Sequence, residues 1–172
     1  MKNASTAAKP ERRAPVRVGM SLPSRIGLPA LFLLSAAVAG CGDNQDPSGA
    51  DELWKRIHDE KYTSWERAAG YATKQPSSAP HGDEVVIYLN ETIAAAVAGD
   101  PLTKWPVGSL IVKDGFSGDE LDLVAAMEKR DDGWYWAEWS GDGSAKFSGN
   151  PDTCTSCHES GADFVRAFGF PK

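Results

Sequence analysis

The run Leu121-Asp-Leu-Val-Ala-Ala-Met-Glu-Lys-Arg-Asp-Asp-Gly-Trp-Tyr-Trp-Ala-Glu-Trp139 holds two short apolar and aromatic stretches, 121–127 and 134–139, either side of Asp132-Gly133. Such stretches around an Asp-Gly pair read as an antiparallel hairpin, because glycine accepts the positive φ that a tight hairpin turn requires. Upstream, Val85-Val-Ile-Tyr-Leu89 and Ser109-Leu-Ile-Val-Lys113 have the same character, and Asp114-Gly115 and Asp142-Gly143 are further turn signals. Four strands in an antiparallel sheet follow. Between the first two, Glu91-Thr-Ile-Ala-Ala-Ala-Val-Ala98 predicts an alanine-rich helix stopped by Gly99 and Asp100-Pro101. Ahead of the strands, Asp51 caps a predicted helix through Leu53, Trp54 and Ile57, reaching toward Trp65 and Ala68, and residues 74–82 form a Pro/Ser-rich loop. The expected class is therefore α+β: an antiparallel β-sheet with a few flanking helices.

At 172 residues with 41% hydrophobic and 24% charged content, the chain suits one globular domain. Six basic residues (Lys2, Lys9, Arg12, Arg13, Arg17, Arg25) and one acid, Glu11, fall in residues 1–40. The remaining 132 residues hold 12 basic and 23 acidic side chains, a net charge of −11. Such a polyanion repels phosphate backbones, which argues against nucleic acid as a partner.

The basic leader, the apolar run Leu28–Val38 and the small residues Ala39-Gly40 before Cys41 form an export signal. The run is shorter than the ~20 apolar residues of a membrane span and contains Pro29. Val38-Ala39-Gly40-Cys41 is similar to a bacterial lipobox, so residues 1–40 are expected to be a lipoprotein signal peptide and Cys41 the lipidated residue. Translation starting at Met20 instead of Met1 would shorten the leader without altering this reading. Residues 41–50 then serve as a flexible tether, and residues 51–172 as the functional domain, periplasmic and anchored to a bacterial membrane.

Near the C-terminus stands Cys154-Thr-Ser-Cys157-His158. C-x-x-C-H is the pattern of c-type haem attachment: the two thiols add to the haem vinyl groups, and the adjacent imidazole becomes an axial ligand of the iron. A zinc site would need further ligands, with only His58 and His81 to draw on, and a redox dithiol belongs in a βαβ unit that the pattern of elements does not offer. One haem c is expected, and the cysteines are then all assigned: Cys41 to lipid, Cys154 and Cys157 to haem. In small electron-carrier cytochromes a downstream methionine supplies the sixth ligand, but the fourteen residues after His158 contain neither Met nor His. Met127 is the sole methionine after Cys41 and reads as strand core. A single-electron-transfer cytochrome remains the alternative.

Four stretches together carry a family likeness: Tyr62-Thr-Ser-Trp65; His81-Gly82 followed by Val86-Ile-Tyr-Leu-Asn90; Trp105-Pro-Val-Gly-Ser-Leu-Ile-Val-Lys113; and Met127-Glu-Lys-Arg130 leading to Trp134, the Cys154–His158 motif and Asp163-Phe-Val165. In this order the chain, from about Tyr62 onward, resembles the cytochrome P460 family and its relatives, the cytochromes c′-β. The resemblance implies a sheet-based homodimer holding haem c with His158 as proximal ligand and an open distal site. It implies either hydroxylamine or nitric oxide oxidation with electrons passed to a redox partner protein, or nitric oxide binding. The oxidases carry an extra bond between haem and a lysine, and Lys113 matches that lysine. Their distal carboxylate and arginine fall at Ala125 and Val85, which implies an apolar distal pocket.

Strand alternation puts Ser109, Ile111 and Lys113 on one face and Leu110 and Val112 on the other. His81 reads as a loop or capping residue with a distal-ligand role as the alternative, and His58, among Arg56, Asp59 and Glu60, reads as exposed. Trp134, Trp136 and Trp139 read as core or haem-edge packing.

Overall fold

The computed structural model describes residues 45–78 and 80–171. The expected signal peptide, Cys41 and the start of the tether lie outside them. Among the described residues no helix is long and apolar enough to cross a membrane.

The chain adopts the expected α+β class. Seven strands, β1 (Glu66–Arg67), β2 (Gln75–Pro76), β3 (Glu84–Leu89), β4 (Leu110–Ser117), β5 (Glu120–Arg130), β6 (Gly133–Ser140) and β7 (Ala145–Gly149), make one antiparallel sheet ordered β1-β3-β4-β5-β6-β7, with β2 also pairing β3. Three helices flank it: α1 (Pro47–Asp59), α2 (Glu91–Ala98) and α3 (Asp152–His158). Asp132-Gly133 and Asp142-Gly143 turn the chain as expected. Asp114-Gly115 does not: it lies inside β4, where a bulge falls between Gly115 and Phe116. Strand β7, only five residues with three of them exposed, has too little apolar alternation to stand out in the sequence.

Helix α1 begins four residues before Asp51, inside the stretch assigned to the tether. Asp46 caps it, its carboxylate accepting from the Gly49 N–H at 3.0 Å, and Pro47 occupies the first turn where no N–H is needed. Tyr135 Oη donates to the Asp46 carbonyl at 2.9 Å, so the helix start is fastened to the sheet. Ala50, Leu53 and Ile57 are buried against Val112, Val124 and the fully buried Trp139. The helix ends at Asp59, and a 3-10 turn over Tyr62–Ser64 replaces the predicted extension. Helix α2 matches its expected limits. Asn90 Oδ1 caps it through Ile93 N at 3.2 Å and also accepts from Leu110 N at 3.1 Å, joining the helix start to β4.

The α1 face of the sheet encloses Asp114, 4% exposed. Tyr62 Oη donates to one carboxylate oxygen at 2.9 Å and Tyr88 Oη to the other at 3.2 Å. Burial raises the Asp114 carboxyl above its ordinary value of 3.8, against the two tyrosine hydrogen bonds, and pushes Tyr88 up to about 12. Asp114→Ala orphans two buried hydroxyls at about 1–3 kcal/mol each, so a loss of about 2–6 kcal/mol is expected in urea titration. Because the folded pKa is raised, this carboxyl stabilises most below its unfolded pKa, and that contribution fades as pH rises through the folded value. The deficit of the variant should be larger in acid than at neutral pH; a deficit that grows with pH would contradict it.

Candidate functional site

The opposite face of the sheet carries a cleft, and register builds its floor. Ile87 pairs with Lys113, Lys113 with Ala125, Ala125 with Glu138 and Glu138 with Phe147, a row crossing five strands. All five side chains line the cleft. Neighbouring strands lie about 4.8 Å apart, so Lys113 and Glu138 stand roughly 10 Å apart across the small Ala125. The alternation expected for β4 holds: Ile111 and Lys113 face the cleft while Leu110 and Val112 join the α1 core. Met127 and Trp136 sit in the next row. Val85 is buried in the sheet.

Helix α3 closes the other side. Its single-helix geometry places Cys154, partly buried, and Cys157, exposed, one turn apart, both as free thiols. Burial, with Glu138 adding to it, pushes the Cys154 thiol up to about 11. Arg166 Nη1 donates to Cys157 Sγ at 3.0 Å. His158 follows at the helix end, its ring 4.6 Å from that of Trp136. Its Nδ1 lies 2.9 Å from the Phe164 carbonyl, which can only accept, so Nδ1 carries the proton and Nε2 keeps its lone pair. Burial pushes this imidazole down to about 4, outweighing the raising effect of that hydrogen bond, so it is neutral at pH 7. A neutral imidazole fixed through Nδ1 with Nε2 bare is the form that binds metal.

The Phe164 carbonyl is held where it is by a turn under constraint. Asp163 and Phe164 both have positive φ, 45° and 69°, a conformation costly for residues with side chains and maintained only by surrounding contacts. Those contacts are dense. The Asp163 carboxylate accepts from Lys129 Nζ at 2.9 and 3.0 Å and from Trp105 N at 3.0 Å. Its carbonyl accepts from Trp134 Nε1 at 2.8 Å, and the Ala162 carbonyl accepts from Trp105 Nε1 at 2.8 Å. Asp163-Phe-Val165, Trp105 and Trp134, widely separated in sequence, thus form one bracket for His158.

His81 lies, as expected, in the loop before β3. It lines the cleft, with Nδ1 3.0 Å from Glu138 Oε2 and its ring centroid 6.3 Å from that of His158. Ala125 carries no acid, but its cross-strand neighbour Glu138 supplies one, and only the register reveals it. The pocket is mostly apolar, as expected, and Ala125 lines it while Val85 does not, but Lys113, His81 and Glu138 make it polar along one side. Burial, with the Arg166 charge adding to it, holds the Lys113 ammonium below the usual lysine range, while Glu138 opposes this. His58, expected to be exposed, is so, with Nδ1 2.8 Å from the Trp54 carbonyl.

These residues fit a covalently held haem. The cleft is open to solvent and holds a cavity of about 200 Å³ between the sheet and α3. It is mostly apolar, it presents both thiols and a bare Nε2, and the buried Trp136 indole N–H finds no partner among the described residues. Among the described residues no group of three or more His, Cys, Asp or Glu side chains is placed to hold a metal ion. No protein-family model matches the chain, and a search of curated proteins returns no significant similarity.

Proposed function

We propose that the chain is an exported c-type haem protein of cytochrome P460 type, binding nitric oxide or hydroxylamine at the axial position opposite His158. The observation that carries this reading is the convergence of Cys154, Cys157, bare His158 Nε2 and Lys113 on one cleft. Haem c held by Cys154, Cys157 and His158 would supply redox-active iron for the oxidation of a nitrogen ligand, with a partner protein as electron acceptor.

The protein's own share is positional and acid–base. Cys154 and Cys157 tether the group, and the Phe164 carbonyl fixes the plane of His158. The Glu138 carboxylate is the proton acceptor that hydroxylamine oxidation requires, and its separation from Lys113 across Ala125 leaves room for a small ligand. Lys113 is the candidate for the haem cross-link, its buried amine being more readily deprotonated than a surface lysine. Export and a lipid on Cys41 would place the domain at a periplasmic membrane surface.

Acid-acetone extraction is the direct test. Thioether bonds survive unfolding, so denatured protein is expected to keep one haem, and Cys154→Ser/Cys157→Ser to release or fail to acquire it. Haem that extracts from the wild type would sink the proposal. The second reading, single-electron transfer, draws on one observation, the second histidine facing His158.

A further inference from the structure

From that facing pair, and resting on the haem c reading, we infer that His81 is the sixth ligand in the resting protein: a displaceable imidazole tethered by Glu138 that a small ligand must dislodge. Metal–imidazole bonds are about 2.0–2.1 Å and a ring centroid lies roughly 1.1 Å behind its nitrogen, so two imidazoles sharing one metal stand roughly 6.3 Å apart by centroid. The two rings are 6.3 Å apart, with their planes 72° from one another. A distal histidine leaving room for a diatomic molecule on the iron would stand roughly 2 Å further off.

Both rings show the same second contact. A ligating histidine donates its other N–H to a carbonyl or carboxylate, which fixes the tautomer and aims the free nitrogen. His158 does so through Phe164 O at 2.9 Å and His81 through Glu138 Oε2 at 3.0 Å, so in each ring Nε2 is left bare. With only 18% and 14% of their side chains exposed, His81 and Glu138 are not a wandering surface pair.

The backbone is shaped to bring His81 there. Gly115, inside β4, sits beneath the His81 carbonyl, and a Cβ at that position would collide with it. Gly82 has φ +96°, and its own Cβ would stand 2.9 Å from Phe116 N. Asp83 N donates to the Phe116 carbonyl at 2.9 Å, holding the loop down on β4. Two glycines and one backbone bond thus seat the imidazole over the cleft. Glu138 reaches it from two strands away.

The haem-loaded full chain tests this by absorption and ferric EPR spectra together with carbon monoxide titration of the ferrous form. The wild type is expected to be low-spin and six-coordinate, and His81→Ala to turn it high-spin. Gly115→Ala keeps the imidazole but displaces its backbone, so it should raise the high-spin fraction. Met127→Leu should leave the low-spin spectrum in place. With a histidine-off form populated at about 1–10%, His81→Ala is expected to tighten carbon monoxide binding about 10–100-fold.

A wild-type spectrum that is already high-spin overturns the inference whether or not the variants fold. So does a low-spin spectrum that survives His81→Ala or disappears in Met127→Leu. Acid-acetone extraction separates the two levels: loss of haem defeats the haem c reading, whereas retained haem with high-spin iron defeats only the ligation by His81. A wild type that refuses carbon monoxide while His81→Ala accepts it upholds the ligation and removes the gas-binding function.

Discussion

Asp163→Ala is expected to cost about 3–5 kcal/mol, the largest single loss of stability the site offers, because it removes one partner of a buried ion pair. Lys129 and Asp163 side chains are 13% and 11% exposed, and the variant would leave the ammonium buried without its carboxylate. It would also strip the acceptor from Trp105 N and relax two consecutive left-handed residues. Asp163→Asn separates the contributions, since asparagine tolerates positive φ and still accepts from Trp105 while losing the charge. Denaturant titration of the haem-loaded protein should place Asn between wild type and Ala. An Ala variant within about 1 kcal/mol of the wild type would show that water screens the pair. Spectra of the two variants read the second consequence: a shifted Phe164 carbonyl frees the His158 ring to rotate and should broaden the haem bands even where folding persists.

Lys113→Ala should produce the largest spectroscopic change. A bond from Lys113 to the porphyrin edge lowers the symmetry of the ring, so the wild-type Soret band is expected well to the red of ordinary haem c. Forming that bond would exchange an amine N–H and a porphyrin C–H for a C–N bond with loss of two protons and two electrons, so it would need a two-electron oxidant. In Lys113→Ala the ordinary haem c spectrum should return and hydroxylamine oxidation should vanish, with haem still covalently bound through Cys154 and Cys157. Peptide mapping that finds Lys113 unmodified in a wild type of ordinary spectrum would withdraw the oxidase activity and leave ligand binding alone.

The elements that define the fold were legible because each carried its own local signal. β-Branched and aromatic runs between turn residues marked β3 to β6, and the alanine run stopped by Gly99 marked α2, whose Asn90 cap only the structure revealed. Signals of one residue serving two purposes misled. Asp114-Gly115 has turn chemistry, yet the aspartate is occupied by two tyrosine hydroxyls and the glycine by the approach of His81. The start of α1 was missed because Pro47, Ser48 and Gly49 look like linker, whereas Asp46 and Tyr135 pin them as a first turn. In the cleft, Cys154, Cys157, His158 and Lys113 were visible as a motif and a strand face. Glu138 was not, since its role depends on which residue of β5 stands opposite, and no property of a single strand encodes that.

The cleft floor is a straight row across the sheet, and side chains in a strand alternate faces with a period of two. A one-residue insertion or deletion within β4, β5 or β6 would therefore turn Lys113, Ala125 or Glu138 toward the α1 core while leaving Cys154-Thr-Ser-Cys157-His158 untouched. Length changes are therefore better accommodated at the tip around Gly118, where the backbone is exposed, than in the strands beside it. Point changes have the opposite latitude. Position 125, flanked by an amine and a carboxylate and filled only by a methyl group, lets a single codon redraw the chemistry of the cleft while Cys154, Cys157 and the His158 bracket stay as they are.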